Sequence, residues 1–395
     1  MIKPDFMEKL LDGVEVEWKA IWEVTTWDKR FNAVSREKQP KVINYPYLLA
    51  ADLFKLDQDE GDVFLLSTGE RTGWTTEELA GEYICEGEVV TIPWGKSRPL
   101  DDVLKYFKGR FVTADNRIAT SSNTDKMLNK FLYYWLLNRS TVIDGFYRGS
   151  GIQHPSMASV LDMAIPIPPL HIQTEIVRIL DTFTELTAEL TAELTARKKQ
   201  YTYYRDQLLN FGEGEVEWKT LGEVCSIGVG KSPNDTVIGE YPFVNAGTTP
   251  SGYLSNFNTE PDTITTPSRG QGGIGFVGYQ NRHFWCGPLC YRIRSTNKNI
   301  KTRFIYYVMS NSVAGIIGLA NMTGVPALNK KELTEFKIPM PPLTEQEHIV
   351  SILDKFDTLT SSITEGLPRE IELRQKQYEY YRNILLSFPK EEVEE

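Results

Sequence analysis

The segment RKKQYTYYRDQLLNF (Arg197–Phe211) returns as RQKQYEYYRNILLSF (Arg374–Phe388) near the other end of the chain. A tyrosine-rich stretch copied at this length points to a duplicated protein, and the flanking sequence agrees. IPIPPL at Ile165–Leu170 answers IPMPPL at Ile338–Leu343. From there Gln173/Gln346, Ile176-Val177/Ile349-Val350, Ile179-Leu180-Asp181/Ile352-Leu353-Asp354 and Phe183/Phe356 follow without a gap. Upstream, the same spacing sets Phe131 and Tyr133-Tyr134 on Phe304 and Tyr306-Tyr307, and Gly151 on Gly324. VEW at Val16–Trp18 recurs at Val216–Trp218. A repeat of this kind decides the architecture before any single element is considered.

In each copy a variable block leads to a proline pair and then to a long helical pattern. In the first, Ile176, Ile179, Leu180, Phe183, Leu186, Leu190, Leu194, Tyr201, Tyr204 and Leu208 fall mostly three or four residues apart, an apolar stripe at helical period. Pro168-Pro169 blocks a helix before it and permits one after it. A helix of this length does not stand alone in water with its stripe exposed, so the two copies are expected to pack as an antiparallel coiled coil. Leu353, Phe356, Tyr378 and Tyr381 are the matching positions of the second copy. Leu10-Leu11-Asp12-Gly13 resembles Leu208-Leu209-Asn210-Phe211, so the chain starts where its last helix would end and the repeat is circular. The second spacer departs from the first. Asp354 to Arg374 is 20 residues against 16 from Asp181 to Arg197, and Gly366-Leu-Pro368 should kink or restart that helix.

The blocks contain short β-like runs (EVVTIPW, RFVTADNRIAT, DTITTP, GIGFVGY, LCYRIRS) among Gly, Pro and Asn turns, and one helical segment each, NKFLYYWLLN and TRFIYYVMSN. The expected fold is α+β: two globular domains separated by an antiparallel coiled coil of two long helices, with pseudo-twofold circular symmetry. The boundaries are 1–164 and 213–337 for the domains, with 165–212 and 338–395 for the helical spacers.

With 395 residues, 41% hydrophobic and 24% charged, the chain reads as a soluble globular protein. It has no apolar run near the ~20 residues of a membrane span. No secretory pattern opens the sequence, and four cysteines suit a reducing cytoplasm. The net charge of −10 argues against nucleic acid, but its distribution argues for it. Thr263–Lys331 spans 69 residues without an Asp or Glu and carries nine Lys or Arg. Val103–Leu161 holds eight basic residues against three acidic. Two basic islands in an acidic chain ask for a localised anionic partner.

No catalytic apparatus emerges. Gly270-Gln-Gly272-Gly-Ile-Gly275 has the GxGxxG spelling, but the following FVGY reads as strand and turn, not as a helix holding a pyrophosphate. Gly228-Val-Gly230-Lys231-Ser232 ends like a phosphate loop but has Cys225 where the first glycine belongs. His283, Cys286 and Cys290 lack a fourth ligand and the paired short spacings of a zinc site, and the cysteines read as buried strand residues, so no metal site is expected. What remains is binding. Arg269, Gln271, Arg282, Arg292 and Arg294, with Lys301 and Arg303, are types that clamp phosphates or read base edges. Lys96, Arg98, Arg117 and Arg148 hold comparable places in the first block.

Two variable blocks, each followed by PPL…Q…IV.IL…F and then by KQY.YYR..LL, resemble the specificity subunit of a Type I restriction-modification enzyme over essentially the whole chain. The tandem Thr-Ala-Glu-Leu of Thr187–Leu194 resembles the spacer of the type IC branch. The resemblance implies two target recognition domains, each reading one half of a bipartite, asymmetric site in double-stranded DNA. It implies two methyltransferase subunits docked on the helical regions, restriction subunits joining them, and S-adenosylmethionine, ATP and magnesium on those partners with none on this chain. It also implies a non-catalytic protein. The competing readings are a coiled-coil interaction protein and a nucleotide-dependent enzyme using the Gly-rich loops.

Overall fold

The computed structural model describes residues 6–67, 73–115, 117–122, 125–212, 214–234, 237–362 and 364–389. Two compact units divide it. One comprises 1–188 with 372–395, the other 189–371. Each unit therefore holds one block plus parts of both spacers, so the compact units cut inside the spacer segments drawn from sequence.

Both units are built on the same frame. The VEW motif and the IPxP motif are the two strands of one antiparallel ladder. In the first unit Glu17–Ala20 pairs with Ala164–Ile167, Trp18 opposite Pro166. In the second Glu217–Thr220 pairs with Lys337–Met340, Trp218 opposite Pro339. Proline can sit in these strands because the sheets have two strands, so each proline is at an edge. A single helical turn follows each first strand, and its glutamate reaches back to the chain. Glu23 accepts from the Ala20 N–H at 2.9 Å, and Glu223 from the Thr220 N–H at 2.6 Å. The block thus begins and ends in one ladder.

The repeated glutamine seals the junction of block and helix. Gln173 Nε2 donates to the carbonyls of Lys126 and Pro168, both at 2.7 Å, while its Oε1 accepts from the Leu128 N–H at 2.9 Å. Gln346 does the same with Asn299 at 2.9 Å, Pro341 at 2.8 Å and Lys301 at 2.9 Å. Both side chains are fully buried, where three satisfied groups are a necessity. The repeated aspartate locks the block helix to the spacer: Tyr134 Oη donates to Asp181 at 2.6 Å, and Tyr307 Oη to Asp354 at 2.5 Å. Burial first, then the neighbouring carboxylate, holds both phenols far above their ordinary pKa, so they remain donors.

Within the frame the blocks differ. The first holds a seven-stranded sheet whose centre is the hairpin of Cys85–Pro93 and Lys105–Ala114, in register from Cys85/Phe111 to Thr91/Lys105. Val63–Leu66 adds to Lys105–Ala114 in parallel. The second block holds a four-stranded sheet (Cys225–Val229, Cys290–Ser295, Thr263–Pro267, Gly278–Gln280) and a three-stranded one (Gly252–Leu254, Tyr241–Val244, Trp285–Cys286). The helical segments expected in the two blocks are Asn129–Asn138 and Thr302–Asn311. Of GIGFVGY only Gly278-Tyr279 enters a strand, and the residues before it form turns.

The first spacer is one helix, Leu170–Leu208, unbroken through the Thr-Ala-Glu-Leu copies. The second restarts at Gly366-Leu-Pro368, as its sequence leads one to expect. It is a pair, Leu343–Ser361 and Gly366–Leu385. Pro368 falls in the first turn of the restarted helix, where its missing N–H removes no helix bond. Gly366 supplies φ +77° at the restart.

The spacer residues singled out from the stripe pack inside each unit. Leu180 and Leu353 are fully buried. Phe183 stacks on Tyr381 with centroids 5.3 Å apart in the first unit, and Phe356 on Tyr204 at 5.8 Å in the second. Tyr201 and Tyr378 are half-buried against the same two cores. Leu186, Leu190 and Leu194 are half-buried. The stub Phe6–Leu11 forms a short helix that joins the core cluster of Leu385, Leu386 and Phe388. The circular repeat is closed there by packing.

Candidate nucleic-acid interface

The structure sorts the expected binding residues into two groups. Four are already engaged by the protein. Lys96 is buried, 2.8 Å from Asp144, with its ammonium over the Tyr147 ring. Arg303 meets Asp354 at 2.7 Å and Asp357 at 3.4 Å and lies over the rings of Tyr279, Tyr306 and Tyr307. Burial opposes that guanidinium's charge, but Tyr307 and Asp354 outweigh it and hold the pKa above its ordinary value. Lys301 pairs with Glu347 at 2.6 Å. Arg292 donates to the Asn258 carbonyl at 3.1 Å and to Thr259 Oγ1 at 3.3 Å. Lys96 and Arg303 therefore brace the fold. A buried cation with a fixed counter-ion has little left to offer a phosphate.

The second group faces solvent. Arg98, Arg148, Arg269, Gln271, Arg282 and Arg294 are exposed. Arg148, Arg269, Arg282 and Arg294 make no ion pair among the described residues. Arg117 lies in the strand Arg117–Ser122, opposite Pro93, and its side chain is outside the described residues.

One local arrangement gathers several of these in each unit. After the block helix the chain makes a short hairpin, Tyr147–Arg148 with His154–Pro155 in the first unit and Ala320–Asn321 with Ala327–Leu328 in the second. A basic loop lies along it. Lys96 bridges Gln153 through two backbone hydrogen bonds of 3.1 and 3.0 Å, which sets Arg98 beside the hairpin that carries Arg148. In the second unit Arg269 bridges Ala327, and Gln271 follows in the same loop. Arg292 and Arg294 alternate on one face of Cys290–Ser295, and Arg282 sits in the turn after Gly278–Gln280.

The hairpin tips were not foreseen. Ile152 is 65% exposed and its repeat partner Val325 61%, with Met322 at 55%. Apolar residues in a sequence read as core. The signal that could have marked these is the aligned pair Gly151/Gly324, whose φ values are +93° and +76°.

The chemistry of the remaining motifs is inert. The GxGxxG loop turns into a strand, and the described residues after Ser232 run as loop to Tyr241, so neither segment presents a helix N-terminus to a phosphate. Cys286 and Cys290 are buried thiols and His283 pairs with Glu260 at 2.9 Å. Among the described residues no three potential ligands converge. Burial pushes the thiols of Cys85 and Cys225 up to about 11 and about 12, away from nucleophilic use. Among the described residues no helix is long and apolar enough to cross a membrane.

Residues 30–197 and 213–373 each match the Type I restriction modification DNA specificity domain. Over its full length the chain is 38% identical to the Type I restriction enzyme EcoR124I/EcoR124II specificity subunit of Escherichia coli, across 99% of that protein. It is 36% identical to the type I specificity subunit S.HindORF215P of Haemophilus influenzae, over 97% of this chain and 98% of the relative. The crystal structure of the Type I restriction-modification S subunit from M. genitalium has the same fold, with a TM-score of 0.67 at 18% identity over 96% of this chain and 98% of that one. Two matched domains, relatives that run the length of the chain, and a repeated frame around two unlike blocks lead to one conclusion: the chain belongs to the family of Type I restriction-modification specificity subunits.

Proposed function

We propose that this protein is the DNA sequence-recognition subunit of a Type I restriction-modification complex, with each block reading one half of a bipartite site. The observation that carries this reading is the closed ladder. Because a block enters and leaves through adjacent strands, its sheet and loops can vary while the spacer helices receive the same ends. The exposed Arg98, Arg148, Arg269, Gln271, Arg282 and Arg294 supply the contacts to phosphates and base edges. Two methyltransferase subunits dock on the spacer helices, where the repeat leaves Tyr203 and Tyr380 facing outward at 62% and 52% exposure. Restriction subunits join that assembly in the cytoplasm. S-adenosylmethionine, ATP and magnesium belong to those partners, and the spacer is of the type IC kind.

The test exchanges residues 21–163, between the two ladder strands, for the block of another family member and maps methylated sites across the host genome. We expect one half of the methylated sequence to change and the other to persist. An unchanged pattern would sink the proposal, because reading would then reside outside the block.

A further inference from the structure

We propose that the two hairpin tips are apolar wedges that enter the minor groove of duplex DNA, one in each half-site; this rests on the DNA-reading function above. Ile152 forms the first wedge, Met322 and Val325 the second. Large apolar side chains exposed to this degree need a partner or a reason. Here they stand on a rigid base. Tyr147 Oη donates to the Pro93 carbonyl at 2.8 Å in one unit, and Tyr291 Oη to the Leu328 carbonyl at 2.9 Å in the other. In the second tip Asn321 Oδ1 accepts from the Thr323 N–H at 2.9 Å and fixes the turn. Ile152 also rests against Gly95, where an added Cβ would meet its Cγ2 at 2.7 Å. These contacts fix the base of each hairpin and leave the apolar side chains in solvent.

The charge around the tips selects the partner. Gly145–Leu161 and Thr263–Lys331 contain no acidic residue. Arg148 flanks the first tip, and the loop bearing Arg269 and Gln271 lies along the second. An apolar point among cations and amides suits a polyanion with an apolar interior, as a stack of bases is. The choice of groove follows from the repetition. Two blocks with different sheets carry the same device at the same repeat position, so its contact cannot depend on the base sequence of either half. The minor groove offers that near-degenerate surface, and apolar side chains there part a base step and bend the duplex.

The test uses the full chain assembled with its methyltransferase subunits and a duplex carrying the mapped site, with 2-aminopurine placed at successive steps. Base flipping by the methyltransferase raises fluorescence at the target base; we expect a second rise, at one further step in each half-site. Ile152→Ser should abolish it in the half read by the first block, and Met322→Ser with Val325→Ser in the other. Each should weaken binding roughly tenfold and leave the methylated sequence unchanged. These positions are exposed, so the melting temperature of the chain should not move. Specific methylation with no fluorescence rise beyond the target base, or variants that bind like the parent, would refute the wedge alone. Variants that fail to assemble with the methyltransferase would also refute it, assigning the tips to a protein contact. A complex that methylates no specific sequence would overturn the DNA-reading function itself.

Discussion

In the first unit the last helix sinks Tyr381, Leu385 and Phe388 into the core, whereas the equivalent Tyr204, Leu208 and Phe211 of the second unit stay nearer its rim. Tyr381 is 4% exposed and Tyr204 46%. The sequences are nearly the same, so the difference comes from what the chain does next. After Leu208 it must turn at once into the ladder strand that begins at Glu217, which tethers the helix end at the surface. After Leu385 the chain stays on the core: the Pro389 carbonyl accepts from Trp18 Nε1 at 3.0 Å, and the stub Phe6–Leu11 adds Met7 and Leu11 to the same cluster. The lesson is that a repeat fixes which residues meet, while chain connection sets how deeply.

The sharpest break of this comparison is a paired truncation. Leu385→Ala should cost about 4 kcal/mol and Leu208→Ala about 1 kcal/mol, because the first empties a closed core and the second a rim. Denaturant unfolding followed by tryptophan fluorescence distinguishes them, and equal losses would contradict the asymmetry. The glutamine seals should behave in the opposite way. Gln173→Ala and Gln346→Ala each strand two carbonyls and one N–H, and each should cost roughly 3 kcal/mol. Matching losses in thermal unfolding would show one shared frame; a tolerated change at either site would break it. A smaller contrast lies at the aspartates, which are met by Lys130 at 2.8 Å in one unit and Arg303 at 2.7 Å in the other. Arg303→Lys should lose about 1 kcal/mol, since an ammonium cannot stack on three tyrosines while bridging two carboxylates. A melting point unmoved by that change would argue against the clamp. The smallest effect concerns DNA. Arg148→Ala or Arg269→Ala should weaken binding by the assembled complex and lower its salt slope by about one unit each, if each meets a phosphate. Lys96→Met should leave the slope as it is.

The frame was legible because duplication writes it twice: the ladder, the glutamine, the aspartate and both block helices stand at positions that can be aligned by eye. The block interiors were less so. The hairpin of Cys85–Pro93 and Lys105–Ala114 is local and carries strand-like runs, but the parallel addition of Val63–Leu66 joins segments about forty residues apart, which no local pattern announces. At the interface, residue type misled in both directions. Lys96 and Arg303 are of the types that clamp phosphates, yet each is ion-paired within the protein. Ile152 and Val325 resemble core residues and stand in solvent. Charge and hydrophobicity say what a side chain prefers, and the hairpin and ladder decide whether it gets it.

Removing one Thr-Ala-Glu-Leu copy from the helix Leu170–Leu208 tests most directly whether reading and spacing are separate properties of this chain. The deletion shortens the helix by ~6 Å. With the variant assembled in its complex and its methylated sites mapped, we expect both half-sites unchanged and the gap between them altered by one or two base pairs. An altered half-site, or an unaltered gap with activity retained, would contradict it.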